Sequence, residues 1–514
     1  MSISSTRSSE SRFCSPAKML SRRSFLVVTL AVASILALLV TSRRLGAWSA
    51  FDETYYHPDP HKSHHAPQGP LDDSESLGRP GANSSHNADL GPLPPPCAGF
   101  PNTDNILLVM KTGASESFAR IPTQLMTTLS CLSDYLIFSD MAQEIGGQRI
   151  FDSLDKVSAD VQENNADFDL YRRQKACIVD QDGCNKVGDP ANEGWALDKY
   201  KNVHIAEKTF AMRPGYDWYV FVDADTYVLW PNMVQWLRGL KASKKHYLGS
   251  VTLINDFSFG HGGSGYVVSQ AAMKSFVGRN KGVGNAYDLR AKNECCGDYV
   301  FAMALHELSK VSIEQVWPTI NGEKPATLPF GPSHWCHPIV TMHHMNSEEI
   351  NTFWNFEREF RRAQGHGSLQ QPLLIKDIYR HYFESKLQAR RDDWDNHSDD
   401  RFYLETNLTH EWEDWQVERV RDQNSYNEFQ AKAHTSFEAC EAACLSLDDH
   451  ECFQFQYRDG ACSTSKSFQL GKPVKNDGNE AHRTYSGWDV KKIRRFATEH
   501  AKCPQIHWPN VPGG

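Results

Sequence analysis

The chain has no basic excess: 54 Lys and Arg stand against 63 Asp and Glu, a formal net charge of −9. It also has no Lys/Arg stripe interleaved with aromatics. Both absences argue against a nucleic-acid binder. The motif Gly-x4-Gly-Lys-Ser/Thr is missing, so the glycine-rich run at residues 262–265 is not a phosphate-cradling P-loop. The C-terminal cysteines lack Cys-x2-Cys pairs, which disfavours zinc there. Residues 43–96 are short of apolar side chains and cannot build a core. What is present is ordinary for folded chains: 514 residues, 40% hydrophobic and 23% charged, enough for two or three domains.

One long uncharged apolar stretch stands out, Ser24 to Ser42. Its 19 residues can cross a bilayer. Arg7, Arg12, Lys18, Arg22 and Arg23 precede it, so residues 1–23 are expected to stay cytoplasmic and 24–42 to act as a signal anchor. A cleaved signal peptide is the rival, as is a twin-arginine signal at Ser21-Arg22-Arg23-Ser24-Phe25-Leu26. Residues 43–97, ending in Leu93-Pro94-Pro95-Pro96, read as an extended, disordered stem. Of 13 cysteines, only Cys14 precedes the anchor. The even number beyond it predicts disulfides in an oxidising lumen. Asn-x-Ser/Thr triplets at Asn83, Asn396 and Asn407 are compatible with that side.

Apolar patterning places a first strand at Asn105–Met110, a helix over Ile121–Leu132 and a second strand at Tyr135–Asp140. A later strand is expected at Trp218–Val222 and a helix over Asn232–Leu240. Alternating strands and helices indicate an α/β domain with a mostly parallel, Rossmann-like sheet. Residues 366–433 read as a helical or irregular connection. Cys440, Cys444, Cys452 and Cys462 mark a small disulfide-stapled unit over 434–490, followed by a tail over 491–514.

The chemistry concentrates at Asp223-Ala224-Asp225, at the end of the apolar strand. Two carboxylates at a strand end are costly to bury unpaired. A hard divalent cation, Mn²⁺ or Mg²⁺, would resolve that cost and could be shared with substrate phosphates. In open α/β sheets ligands sit beyond the carboxyl ends of strands, where Asp140 would also lie. Further candidates follow in order: Trp195, Asp198 and Lys199, then His261-Gly262-Gly263-Ser264-Gly265-Tyr266, then Cys295-Cys296-Gly297-Asp298-Tyr299, then Val340-Thr341-Met342-His343-His344.

This ordered series resembles glycosyltransferase family 31, especially the core 1 β1,3-galactosyltransferase and Fringe-like branch, in a fungal type. The resemblance implies a GT-A fold over 98–365, a UDP-sugar donor, Mn²⁺ and inversion at the anomeric carbon. It implies Asp223 and Asp225 as metal ligands, Asp225 directly and Asp223 through water or toward the sugar, completed by His343 or His344, with His343 preferred. Asp298 matches the family's general base, although Gly297 replaces the usual preceding Glu and Ala224 the usual middle acid. Gly263 and Gly265 would approach the donor closely, while Lys111, Thr112, Asp140, Asp198 and Lys199 would contact nucleotide or phosphate. Trp195 and Trp230 either stack on substrate or pack in the core. The cysteine-rich unit, with Cys452-Phe453-Gln454-Phe455-Gln456-Tyr457, resembles an apple/PAN module.

The expected function is transfer of a hexosyl unit, galactose or N-acetylglucosamine, from a UDP-sugar to a glycan or glycoprotein hydroxyl through a β1,3 bond. The expected setting is a type II membrane protein of the Golgi or ER, with a homodimer as a further option. Ala224, Gly297 and the apple-like module motivate an alternative, a catalytically inactive carbohydrate-binding or folding-assistance protein. A metal-dependent hydrolase using the same acid pair is the third reading.

Overall fold

A computed structural model describes residues 96–365, 371–405, 412–476, 478–479 and 482–511. The expected cytoplasmic tail, anchor and nearly all of the stem lie outside these residues, as do Asn83 and Asn407. Among the described residues no helix is long and apolar enough to cross a membrane.

The central sheet has as its inner strands continuous apolar runs buried on both faces. Its strands are β1 (Ile106–Lys111), β2 (Tyr135–Ser139), β3 (Gln143–Ile145), β4 (Gln148–Asp152), β5 (Trp218–Asp223), β7 (Tyr247–Gly249), β10 (Tyr266–Ser269) and β11 (Glu314–Gln315). They lie in the order β11-β7-β10-β5-β1-β2-β4-β3. The centre β5-β1-β2-β4 is parallel, while β10 runs antiparallel between β5 and β7. Successive side chains of a strand face opposite ways. Leu107, Val109, Tyr219 and Phe221 therefore point to one core, and Ile106, Leu108, Met110, Trp218, Val220 and Val222 to the other. Helices Lys201–Met212, Val283–Asn293 and Gly297–Ser309 cover the first face; Ser117–Met126 and Trp230–Leu237 cover the second. The mixed α/β fold with a parallel centre matches the expectation. The helix expected over 121–132 instead starts at Ser117 and ends at Met126, giving way to a 3₁₀ turn at Thr128–Cys131.

One short hairpin and one long-range two-stranded pair stand beside the sheet. Strands β8 (Val251–Ile254) and β9 (Phe257–Gly260) pair antiparallel through a turn at Asn255 and Asp256, both at positive φ. Strands β6 (Tyr227–Val228) and β12 (Thr341–Met342) pair antiparallel, Tyr227 opposite Met342.

The C-terminal part differs from the expected appendage. Residues 366–433 are not merely connection: they hold the helix Ile375–Tyr382 and strands β13 (Arg390–Asp392), β14 (Trp394–Asp395) and β15 (Arg401–Leu404). With β16 (Gln454–Arg458), β17 (Ala461–Ser465) and β19 (Tyr485–Trp488) they form a five-stranded sheet, β13-β19-β16-β17-β15. A two-stranded pair joins β14 to β18 (Lys472–Pro473). Weak periodicity hid these strands because each is short and its partner strand lies beyond residue 450. Asn396 is wholly buried, and its amide donates to the carbonyls of Phe455 and Gly487 at 3.1 and 3.2 Å. The folded chain thus closes this triplet to a sugar.

All twelve cysteines of the described residues pair: 97–131, 177–184, 295–296, 336–503, 440–462 and 444–452. A second core joins Leu328, Phe330, Trp335 and Phe353 to Phe453, Phe468, Trp488 and Phe496. Phe330 and Phe468 exchange backbone hydrogen bonds at 2.9 and 2.8 Å. The Cys336–Cys503 bridge closes this core across a sequence separation of 167. Replacing both by Ser is expected to cost about 2–5 kcal/mol, measured as a lowered urea midpoint.

Candidate functional site

The acid pair is presented by the last turn of β5. Thr226 N–H bonds back to the Asp223 carbonyl at 3.0 Å. Gln124, fully buried on the helix Ser117–Met126, donates to the Ala224 and Thr226 carbonyls at 2.9 and 3.1 Å. Ala224 itself turns into the apolar core. A carboxylate at that middle position would be buried among hydrocarbon, so its replacement by Ala removes no group from the site.

The two aspartates take different partners. Asp223 lies 3.3 Å from Lys111 Nζ, which also holds Asp198 at 2.6 Å. Burial opposes the Lys111 charge, but Asp198 and Asp223 outweigh it and keep the ammonium form. Asp225 lies 3.2 Å from His343 Nε2 and 3.3 Å from Arg120. Burial pushes the Asp225 carboxyl up; the His343 hydrogen bond and the charges of His343, Arg120 and His344 outweigh that and hold it at about 2.

His343 reaches this point through the β6–β12 pairing. The register sets Thr341 opposite Val228, and Met345 N–H donates to the Asp225 carbonyl at 3.0 Å. Neighbours in an extended strand face opposite ways. β12 ends at Met342, His344 two residues on has φ +59°, and the two imidazoles lie 3.9 Å apart. Asn346 then caps the helix Ser347–Ala363 in a box with Glu349. Among the described residues, Asp225, His343 and His344 can offer ligand atoms all within 4.8 Å of one another. His343 Nδ1 has no hydrogen-bond partner. One carboxylate and two imidazoles fit a divalent transition ion. Asp223, expected to act on the metal through water or toward the sugar, lies outside this group of three and beside Lys111.

The glycine loop closes the site by close approach. A Cβ on Gly263 would stand 2.2 Å from the His343 ring. One on Gly262 would stand 3.1 Å from Asp298, which accepts the Gly262 N–H at 2.7 Å. Gly265 has φ +83° against β5. Asp298 lies in the first turn of the helix Gly297–Ser309 and is half-buried. Burial raises its carboxyl pKa against the pull of His261, Gly262 N–H and Lys111. At Gly297, where the resemblance implied a Glu, a Cβ would clash with the Asp198 carbonyl at 2.7 Å and with Asn202. Helix packing requires the glycine.

Lys111, Asp198, Asp223, Asp225, Gly263, Asp298 and His343 therefore gather at one sheet edge. The other candidates have partners of their own. Asp140 is sealed with Lys201 and accepts Ala114 N–H at 3.1 Å, fixing the loop after β1. Lys199 pairs with Asp167 at 2.8 Å, away from the acid pair. Thr112 is buried, its N–H spent on the Phe138 carbonyl. Trp230 is core, as its apolar setting predicts, whereas Trp195 is 63% exposed. Arg120 and His261 are additions. His261 Nδ1 meets Ser264 Oγ at 2.8 Å, and its ring packs against His343. Its place beside the glycine run was the only sequence signal; Arg120 had none.

This architecture fits a GT-A-like domain. Residues 102–317 match the Fringe-like family model, which supports a glycosyltransferase of the family 31 type. The matched segment includes the acid pair, the glycine loop and Asp298 and ends before His343. A comparison with curated proteins finds no match.

Gly263→Ala is expected to lose about 1–3 kcal/mol in urea unfolding because the His343 ring must move. Gly194→Ala, in a helix with open space around its Cα, is expected to gain about 0.4–1 kcal/mol. For Asp298 the sign is opposite to that of a paired carboxylate. Its folded pKa is raised, so ionisation destabilises the fold above that pKa, and the penalty vanishes at pH below the unfolded value. Asp298→Asn should therefore melt higher than wild type at pH 7, with the gap shrinking toward pH 3.

Proposed function

We propose that the chain is a metal-dependent inverting glycosyltransferase. It moves a hexosyl unit, galactose or N-acetylglucosamine, from a UDP-sugar to a hydroxyl of a glycan or glycoprotein, forming a β1,3 bond in the Golgi or ER lumen. The observation that carries this reading is the 3.2 Å approach of Asp225 and His343 beside a loop that also touches Asp298.

Asp225, His343 and His344 hold the cation, Mn²⁺ in preference to Mg²⁺ given two nitrogen donors. The bound ion supplies charge stabilisation for the departing diphosphate. Lys111, fixed by Asp198, adds a positive charge at the end of β1 and holds the Asp223 carboxylate. Asp298 accepts the proton of the acceptor hydroxyl as that oxygen bonds to the anomeric carbon and the bond to UDP breaks. Burial raises its pKa, which makes it a stronger base than an exposed aspartate. The loop 261–265 positions both partners, which supplies much of the rate.

The non-catalytic alternative was motivated by Ala224, Gly297 and the apple-like module. The two residues have packing reasons, so neither favours it. The C-terminal sheet, apple-like in its cysteine pattern, serves in this reading as a rigid platform for the catalytic part.

UDP release, measured with a panel of UDP-sugars, should require Mn²⁺. It should fall by at least a hundredfold in Asp225→Asn, and by about 10²–10⁴ in Asp298→Asn with UDP binding retained. Equal turnover by wild type and Asp225→Asn would remove the mechanism.

A further inference from the structure

Away from the acid pair, a cavity of about 340 Å³ lies between the helices Trp230–Leu237 and Ser347–Ala363. That volume falls within the range of small-molecule sites, about 300–1,000 Å³. Its walls include Leu229, Pro231, Val234, Phe360 and Leu373, so most of the lining is apolar. Asn232 also lines it, but its amide is spent on the carbonyls of Ile339 and Leu373 at 2.7 and 2.8 Å.

Arg361 is the anomaly. Its side chain is 8% exposed, yet Nε, Nη1 and Nη2 all lack a hydrogen-bond partner. A guanidinium carries five N–H donors in a planar fork, and leaving them unspent in the interior is costly. The nearest acid, Glu357, stands off: its Oε1 is 3.5 Å from Nε and has no hydrogen bond of its own. The other oxygen, Oε2, accepts the Tyr227 hydroxyl at 2.5 Å. The rings of Phe100 and Trp354 flank the guanidinium at 6.0 and 5.8 Å, which offers no hydrogen bond. Burial pushes the Glu357 carboxyl up toward its neutral form, against the Arg361 charge, which leaves the guanidinium less well compensated. Arg238 adds an exposed second cation to the lining.

We propose that this cavity binds a small organic carboxylate, its planar oxyanion engaged by the Arg361 fork and its apolar body packed between the two helices. The fork matches a carboxylate in bidentate fashion. The apolar walls favour a hydrocarbon body over a bare ion such as phosphate. The site does not depend on the reaction proposed above. It adjoins it, because Tyr227, which bonds Glu357, follows Asp225 by two positions on β6.

The probe is benzoate, with benzamide as its uncharged isostere, titrated calorimetrically into the purified full chain. Benzoate should bind saturably, at least tenfold more tightly than benzamide. Arg361→Gln should weaken benzoate at least tenfold. Arg238→Glu, at an exposed position that does not threaten folding, should weaken it severalfold; it decides the question should Arg361→Gln fail to fold. Equal affinity for benzoate and benzamide, or unchanged affinity in a folded variant, would overturn the proposal. So would the absence of any heat with wild type, which would mean that water alone fills the cavity.

Discussion

Four residues of antiparallel pairing, Tyr227 and Val228 against Met342 and Thr341, carry the candidate site. The acid pair ends β5, and the imidazoles lie more than a hundred residues later in the chain. Nothing local brings them together. The pairing does so because the sequence runs straight from β5 through a tight turn into β6, while β12 is held from behind by Thr319 and by Met345 bonding to the Asp225 carbonyl. The short sheet is buried on both sides, with Tyr227 and Met342 in the second core and Val228 in the core beneath the main sheet. Its geometry is thus over-determined, which is the condition for holding a ligand set to a few tenths of an ångström.

Around that junction, charge is arranged to leave each carboxylate in a different state. Asp225, beside His343 and Arg120, is a strong acid; Asp298, set into a packed helix start with two backbone donors, is a weaker one. Asp198 lies between Lys111 and Lys201 and stays ionised. Acids whose environments push their pKa values apart can divide the labour of metal binding and proton transfer. The glycines at 262, 263 and 265 let the loop thread among these groups where any side chain would displace them.

The sheet was legible because β1, β2 and β5 are long apolar runs whose alternate residues feed opposite cores. The acid pair, the glycine loop and Asp298 were legible because strand ends and glycine runs leave local marks. Other features were not. That His344 joins His343 depends on a left-handed backbone at 344, which no spacing announces for a non-glycine residue. That Asp223 turns to Lys111 depends on the parallel register of β1 and β5, which sets Lys111 opposite Asp223. Asp140 was marked by its place at a strand end and Lys199 by its place in the motif series; that they pair with Lys201 and Asp167 depends on elements distant in sequence. The strands of 390–404 were illegible because two- to four-residue strands show no period before their partners are known.

The second core has a practical bearing on how this polypeptide can be cut. Phe330, Trp335, Phe353 and Trp354 belong to the half of the chain that carries the chemistry, yet they are covered by Phe453, Phe468, Trp488 and Phe496 from the far end. A fragment terminated after the helix Ser347–Ala363 would turn that aromatic face outward, and a bare surface of this kind drives self-association in water. Shortening from the front and shortening from the back are therefore not equivalent operations: the catalytic half keeps its solubility only in the company of the residues that close the chain.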